Sequence, residues 1–227
     1  MKSNSEWMSI SDMMSGLMLI FMFIAISFMI EVQTDKDKIK EIAITYNKDK
    51  KELNQDLHAE FANDLAKWEA DITKDNSIVF NSPTVLFGSG KSNLKIAFKD
   101  ILNDFFPRYI HILYSKKYKN EIDEVRIEGH TSNGWRGATS KEKIYLKNMS
   151  LSQSRANNVL SYCYKISDID YRDWLERHLR ANGMAFAKMR YIDNNHTIPD
   201  IIKSRRVEFK VQMKTEDKIY KILEVSK

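Results

Sequence analysis

Residues 124–134 read EVRIEGHTSNG, and this stretch decides how the C-terminal two thirds of the chain folds. The first six fit a strand. Beyond Gly129 the chain reads as a long loop continuing to Leu146, the kind of segment in which binding residues are often held. After the loop, residues 150–164 place Leu151, Arg155 and Val159 four apart, which predicts a helix, and residues 171–182 predict another. Upstream, residues 78–87 alternate as a strand, and Gly88 and Gly90 mark a turn. A helical pattern then runs through Leu94, Phe98, Ile101, Leu102 and Phe105 until Pro107, which is expected to bend or end it. Residues 184–192 and 205–213 fit two more strands. This order predicts an α+β fold, a two-layer α/β sandwich with helices on one face of a mixed sheet.

Toward the N-terminus, residues 13–30 read MMSGLMLIFMFIAISFMI without a charge. Eighteen residues at about 1.5 Å each span about 27 Å, close to the hydrocarbon thickness of a bilayer. Only Lys2 precedes the run and no small-residue cleavage site comes after it, so it reads as a retained anchor and not a secretory signal. The positive-inside rule leaves its orientation open, because Lys36, Lys38 and Lys40 are interleaved with Asp35, Asp37 and Glu41. Asp12 opens the run and has two readings. It caps the helix with Ser11 at headgroup level, or, if the helix begins near Trp7, it lies inside, where a carboxylate is costly without a partner or an ion. Ser27 is assigned no role.

From Ile39 the apolar positions continue through Ile42, Tyr46, Leu53, Leu57, Phe61, Leu65, Trp68 and Ile72 in steps of three, four or seven. That is helical periodicity. The stripe fits an amphipathic helix lying on its own domain or a short parallel coiled coil between two copies. The second is favoured, with Asn54 and Asn63 loosening the pairing.

The net charge of +5 hides a division. Residues 1–31 carry one Lys against Glu6, Asp12 and Glu31, and residues 32–76 carry eight Lys against eleven acids, which leaves +10 on residues 77–227. An anionic partner is expected for that part. A mean hydropathy of −0.47 excludes a polytopic membrane protein. One cysteine excludes an intramolecular disulfide framework, and Cys163 reads as a small buried apolar residue. His58, His111, His178 and His196 lack ligand spacing, so no metal site is expected. His130 lines a pocket or closes a strand.

Four blocks of residues resemble a known family. Glu128-Gly129-His130-Thr131-Ser132-Asn133-Gly134, then Asn148, then Leu151-Ser152-Gln153-Ser154-Arg155-Ala156, then Arg205-Arg206-Val207-Glu208 match the order and spacing of the OmpA-like peptidoglycan-binding domain, with Phe87 and Gly90 resembling its first strand and turn. The resemblance implies a pocket for the diaminopimelate stem peptide, bound by Asn148, Leu151, Arg155, Ser132 and Thr131. Arg155 supplies a planar guanidinium fork for a carboxylate. Ser132 stands where that family usually has the Asp that pairs with the ligand's ammonium. The basic segment 135–147 reads as a loop longer than that family's, and Arg205 and Arg206 read as stitching the fold.

The start of the chain, Trp7-Met8-Ser9-Ile10-Ser11-Asp12-Met13-Met14-Ser15-Gly16-Leu17-Met18, resembles MotB-type stator subunits and among them the ZorB family of Zorya antiphage defence systems. That resemblance implies an N-terminal cytoplasmic tail at 1–11, a transmembrane helix at 12–31, a helical stalk at 32–76, the OmpA-like domain at 77–214 and a C-terminal tail at 215–227. It makes Asp12 the ion-carrying residue, with H+ in preference to Na+ as the transported ion and no cofactor. The implied partners are a ZorA/MotA-like membrane subunit ring, peptidoglycan and a second copy of the chain, with no direct nucleic acid. The implied location is the bacterial inner membrane, single-pass, with the N-terminus cytoplasmic and the C-terminal domain periplasmic. The protein is then a motor component and not an enzyme. A flagellar MotB-type stator subunit and a passive peptidoglycan-tethering membrane protein are the alternatives, and a basic module binding nucleic acid is a third.

Overall fold

The apolar run, the charged stripe after it and the first aromatic residues of the domain all lie on one helix in the computed structural model, which describes residues 3–138 and 140–214. This helix, α1, spans Ser3–Trp68. The expected tail at 215–227 and the side chains of Trp7, Met8, Ile10 and Tyr46 lie outside the described residues. The chain falls into two units that divide between Asn47 and Lys48.

In the first unit, α1 is long and apolar enough to cross a membrane, with a mean hydropathy of 2.4 over its most apolar window. Its large side chains, Phe21, Phe23 and Ile24 among them, are exposed. Within a single extended helix there is no partner to cover them, and a hydrocarbon environment would. The helix starts at Ser3, so Asp12 stands in its interior and the capping reading of Ser11 and Asp12 does not apply.

The second unit holds a five-stranded sheet in the order β1-β2-β5-β3-β4. The strands are β1 Ala70–Ile72, β2 Ile78–Phe80, β3 Ile122–Gly129, β4 Leu179–Gly183 and β5 Val207–Met213. β3 and β4 are parallel while the other pairs are antiparallel, so the sheet is mixed. The helices are α2 Pro83–Leu86, α3 Ile96–Leu113, α4 Lys141–Ile166, α5 Ile169–His178 and α6 Ile201–Ser204. One face of the sheet is apolar. There Phe209 of β5 and Phe80 of β2 meet Phe105 of α3, with ring centroids 5.0 and 5.2 Å apart. The other face is polar: Arg126 lies beside Lys210 and Glu128 beside Glu208 in the β3–β5 register.

The stretch of α1 beyond Lys48 belongs to this core. Leu53, Leu57 and Phe61 are fully buried and Trp68 nearly so, with Phe61 and Trp68 packed 5.3 and 6.0 Å from the Phe105 ring. β1 comes directly after and pairs with β2. This differs from a stalk over 32–76 held in a coiled coil. The C-terminal half of the stripe is consumed by its own domain because the aromatic face of α3 and the sheet leave a groove that only an apolar helix can dry.

Several elements differ from their expected bounds. Residues 78–87 keep strand geometry only to Phe80, since Pro83 opens the short helix α2. α3 runs on through Pro107; Tyr109, Ile110 and Leu113 beyond it are fully buried, and burying three such side chains outweighs the roughly 3 kcal/mol that an interior proline costs. α4 begins at Lys141, where the Ser140 hydroxyl accepts from the Lys143 N–H at 3.2 Å. The expected loop to Leu146 and the basic loop over 135–147 are therefore helix from Lys141 onward, and Asn148 sits within α4. Residues 179–182, expected as the end of a helix, belong to β4, which pairs in parallel with β3. The strand expected over 184–192 is absent: after a bond from the Met184 N–H to the Gly129 carbonyl the chain turns, and Tyr191 forms just an isolated antiparallel bridge with Pro199.

Candidate anion-binding cleft

Two glycines bring the site together. Gly129 and Gly183 are register partners at the ends of β3 and β4, and α4 crosses directly over them. A Cβ on Gly129 would stand 2.3 Å from the Ser152 carbonyl oxygen, and one on Gly183 2.5 Å from the Gln153 amide nitrogen. Their lack of a side chain is what lets the helix approach this closely. The contact is then stitched. The Ser152 hydroxyl accepts from the Ala185 N–H at 2.9 Å, the Gln153 side-chain carbonyl accepts from the Gly183 N–H at 2.7 Å, and the Gln153 side-chain amide donates to the Ala181 carbonyl at 3.1 Å. Neither Ser152 nor Gln153 carries a role that its place in the motif discloses. Only the helix–strand approach reveals one.

Seated this way, α4 presents Asn148, Leu151 and Arg155 along one face at spacings of three and four. All three line a cleft of about 430 Å³, together with Thr131 and Ser132 from the segment after β3. The five residues expected at the site are thus brought together. Asn148 is buried, and its amide donates to the Ile144 carbonyl at 2.9 Å and to the Gly134 carbonyl at 3.4 Å. It therefore ties the loop after β3 to α4. Thr131 is held by its N–H, which donates to the Ala185 carbonyl at 2.8 Å, while its buried hydroxyl has no hydrogen-bond partner among the described residues.

Arg155 is 8% exposed. Its Nε donates to the Lys91 carbonyl at 3.0 Å and its Nη2 to the Gly88 carbonyl at 3.4 Å, while the guanidinium lies 4.8 Å from the Phe87 ring centroid. Burial, with the charge of Arg205 adding to it, brings its pKa down to about 10. Lys95, Arg136, Arg205 and Arg206 also line the cleft. Fold-stitching accounts for only part of what Arg205 and Arg206 do. Arg206 does pair with Glu208, but both arginines face the cleft.

His130 is not among the lining residues. Behind the cleft, its Nε2 lies 3.3 Å from Glu128 and 3.8 Å from Glu208, all three buried. Burial lowers the pKa of His130. Burial would raise that of Glu128, but His130, Lys188 and Lys210 outweigh it and hold the carboxyl down to about 2. The three side chains are close enough to share a cation. Yet Arg126, Lys188, Arg190 and Arg206 already stand within 2.5 to 3.7 Å of the two carboxylates, and a divalent ion would meet those four positive charges. The cluster fits an internal ion-pair network that lets two glutamates face each other across β3 and β5.

No family model matches the chain. It is 43% identical to the Zorya protein ZorB of Escherichia coli over 225 residues, covering 98% of this chain and 94% of that protein. Among solved structures it is similar to a MotB-like protein from Desulfovibrio vulgaris, at 19% identity and a TM-score of 0.51, over 77% of this chain and 94% of that one. It is also similar to the cell wall anchor of the T6SS from Pseudomonas aeruginosa, at 19% identity and a TM-score of 0.46, over 70% and 97% of the two chains. The Desulfovibrio structure shares the fold, a mixed sheet backed by helices of the OmpA/MotB type. With 43% identity to the Escherichia coli protein sustained over nearly its full length, the chain belongs to the ZorB family.

Proposed function

We propose that the protein is the wall-anchored stator subunit of an ion-driven membrane motor serving antiphage defence. The observation that carries the reading is a single carboxylate, Asp12, set inside an apolar helix of a chain that belongs to the ZorB family. A carboxylate in that position is costly when charged, and pairing with a neighbouring subunit or accepting a proton relieves the cost. Alternate protonation and release at Asp12 then couples H+ flow to movement of a surrounding ZorA/MotA-like ring. Each charge crossing the membrane supplies about 2.3 kcal/mol per 100 mV. In this reading the N-terminus is cytoplasmic and the cleft domain periplasmic, in the inner membrane, and two copies act together. The cleft holds the peptidoglycan stem peptide through Arg155, Asn148, Leu151, Thr131 and Ser132, so the pair stays fixed while the ring turns. The protein works by force transmission and not as an enzyme.

The test is Asp12→Asn, which keeps size and hydrogen bonding but removes the titrating group. Ion flux and defence are expected to fall to background while the complex with the ring subunit still purifies intact; normal activity in this variant overturns the motor reading. For the anchor, Arg155→Ala is expected to weaken co-sedimentation of the full chain with purified cell wall by roughly ten- to hundredfold, the range of a charge-assisted hydrogen bond at about 1.5–3 kcal/mol. Undiminished sedimentation places the wall contact elsewhere.

A further inference from the structure

The charges lining the cleft are all of one sign. Lys95, Arg136, Arg155, Arg205 and Arg206 contribute five cations, and among the described residues no Asp or Glu lines it. Arg206 is engaged by Glu208. Arg155 meets only carbonyl oxygens and the Phe87 ring, which take two of its five N–H donors without neutralising its charge, and no carboxylate of the described residues pairs with it. A nearly buried guanidinium left in that state is completed by an anion from outside.

An ammonium entering the same cleft has nothing comparable. The two aromatic rings of the lining that could hold a cation are taken: Arg155 covers Phe87 at 4.8 Å, and the Lys147 amine covers Trp135 at 5.5 Å. The cleft also holds neutral hydrogen-bonding side chains. The hydroxyl of Thr131 is buried and has no partner among the described residues, and Ser132 comes next in the lining. Such hydroxyls accept from an amide N–H at no electrostatic cost, whereas a full positive charge there faces the five cations.

We propose that the cleft recognises a carboxylate whose neighbouring amine is acylated, which in peptidoglycan is a stem peptide whose diaminopimelate side-chain amine has been consumed in a cross-link; this rests on the wall-binding reading above. The free carboxylate docks on Arg155 and the amide N–H donates to the Thr131 or Ser132 hydroxyl. A stator anchored this way grips the cross-linked, tensile part of the wall in preference to uncross-linked stems, which suits an element that must resist torque.

Isothermal titration of the full chain in detergent compares two probes, the tripeptide L-Ala-γ-D-Glu-diaminopimelate with its distal amine free and the same tripeptide with that amine acetylated. The acetylated probe is expected to bind at least tenfold tighter, and Ser132→Asp, which places an acid in the cleft, is expected to reverse the order. Equal or tighter binding of the free-amine probe by the unaltered protein overturns the inference and leaves the wall-binding reading standing. Binding of neither probe overturns the wall-binding reading and the inference with it.

Discussion

Glu128 lies directly opposite Glu208 in the sheet, and the domain tolerates the pair only because four cations and His130 surround it. Its folded pKa of about 2 against an ordinary 4.5 makes it a source of acid sensitivity. Between those values the unfolded chain takes up a proton that the folded domain refuses, so stability rises with pH there. The contribution is present in full above pH 4.5 and is lost as pH falls toward 2. Urea unfolding of the domain tracked from pH 7 down to 2.5 is expected to show a falling midpoint below about 4.5, and Glu128→Gln is expected to flatten that limb. At this scale the cleft residues were largely legible. Arg155, Asn148 and Leu151 were indicated by the resemblance of their blocks to the OmpA-like domain. The network behind them was not, because Glu128, His130 and Glu208 are brought together by pairing β3 with β5 across about eighty residues of chain, and no local pattern encodes that distance.

Among the elements, α1 has the most to say about stability. Its residues Leu53, Leu57, Phe61 and Trp68 carry a stripe that suits a coiled coil and a domain face equally well, since both ask for apolar positions three and four apart. Packing decides between them. Phe61 sits against Phe105 and Trp68 and beneath the guanidinium of Arg108, which also pairs with Glu60 and Asp64 on α1. Phe61→Ala is expected to destabilise the folded domain by about 3–5 kcal/mol, read as a lowered denaturation midpoint; a coiled-coil position would leave the domain's own unfolding unchanged. The strand β4 shows the opposite failure of local reading. All but the last of its residues, Leu179–Gly183, read as the end of the helix expected over 171–182, and only the exposed edge of β3, together with Gln153 reaching down from α4, draws them into parallel pairing.

For the molecule as a whole, the compact C-terminal unit begins at Lys48. A fragment spanning 48–218 is expected to melt cooperatively, whereas one spanning 77–214 loses α1 and β1 and is expected to melt at least 10 °C lower or to aggregate, as circular dichroism during heating will show. Equal melting of the two would mean that the helix is dispensable to the core. The amino-acid sequence by itself determined the membrane-length helix, because eighteen uncharged residues between Asp12 and Glu31 need no partner to declare themselves; it determined the α+β class through the order of its elements, and it pointed to the five cleft residues through their resemblance to the OmpA-like domain. Tertiary structure alone decided that the far end of α1 belongs to the core, that residues 179–183 form a strand, that Gly129 and Gly183 admit α4, and that no acid of the described residues lines the cleft. These depend on surfaces meeting across long separations in sequence, where burial and pairing override what each segment prefers alone.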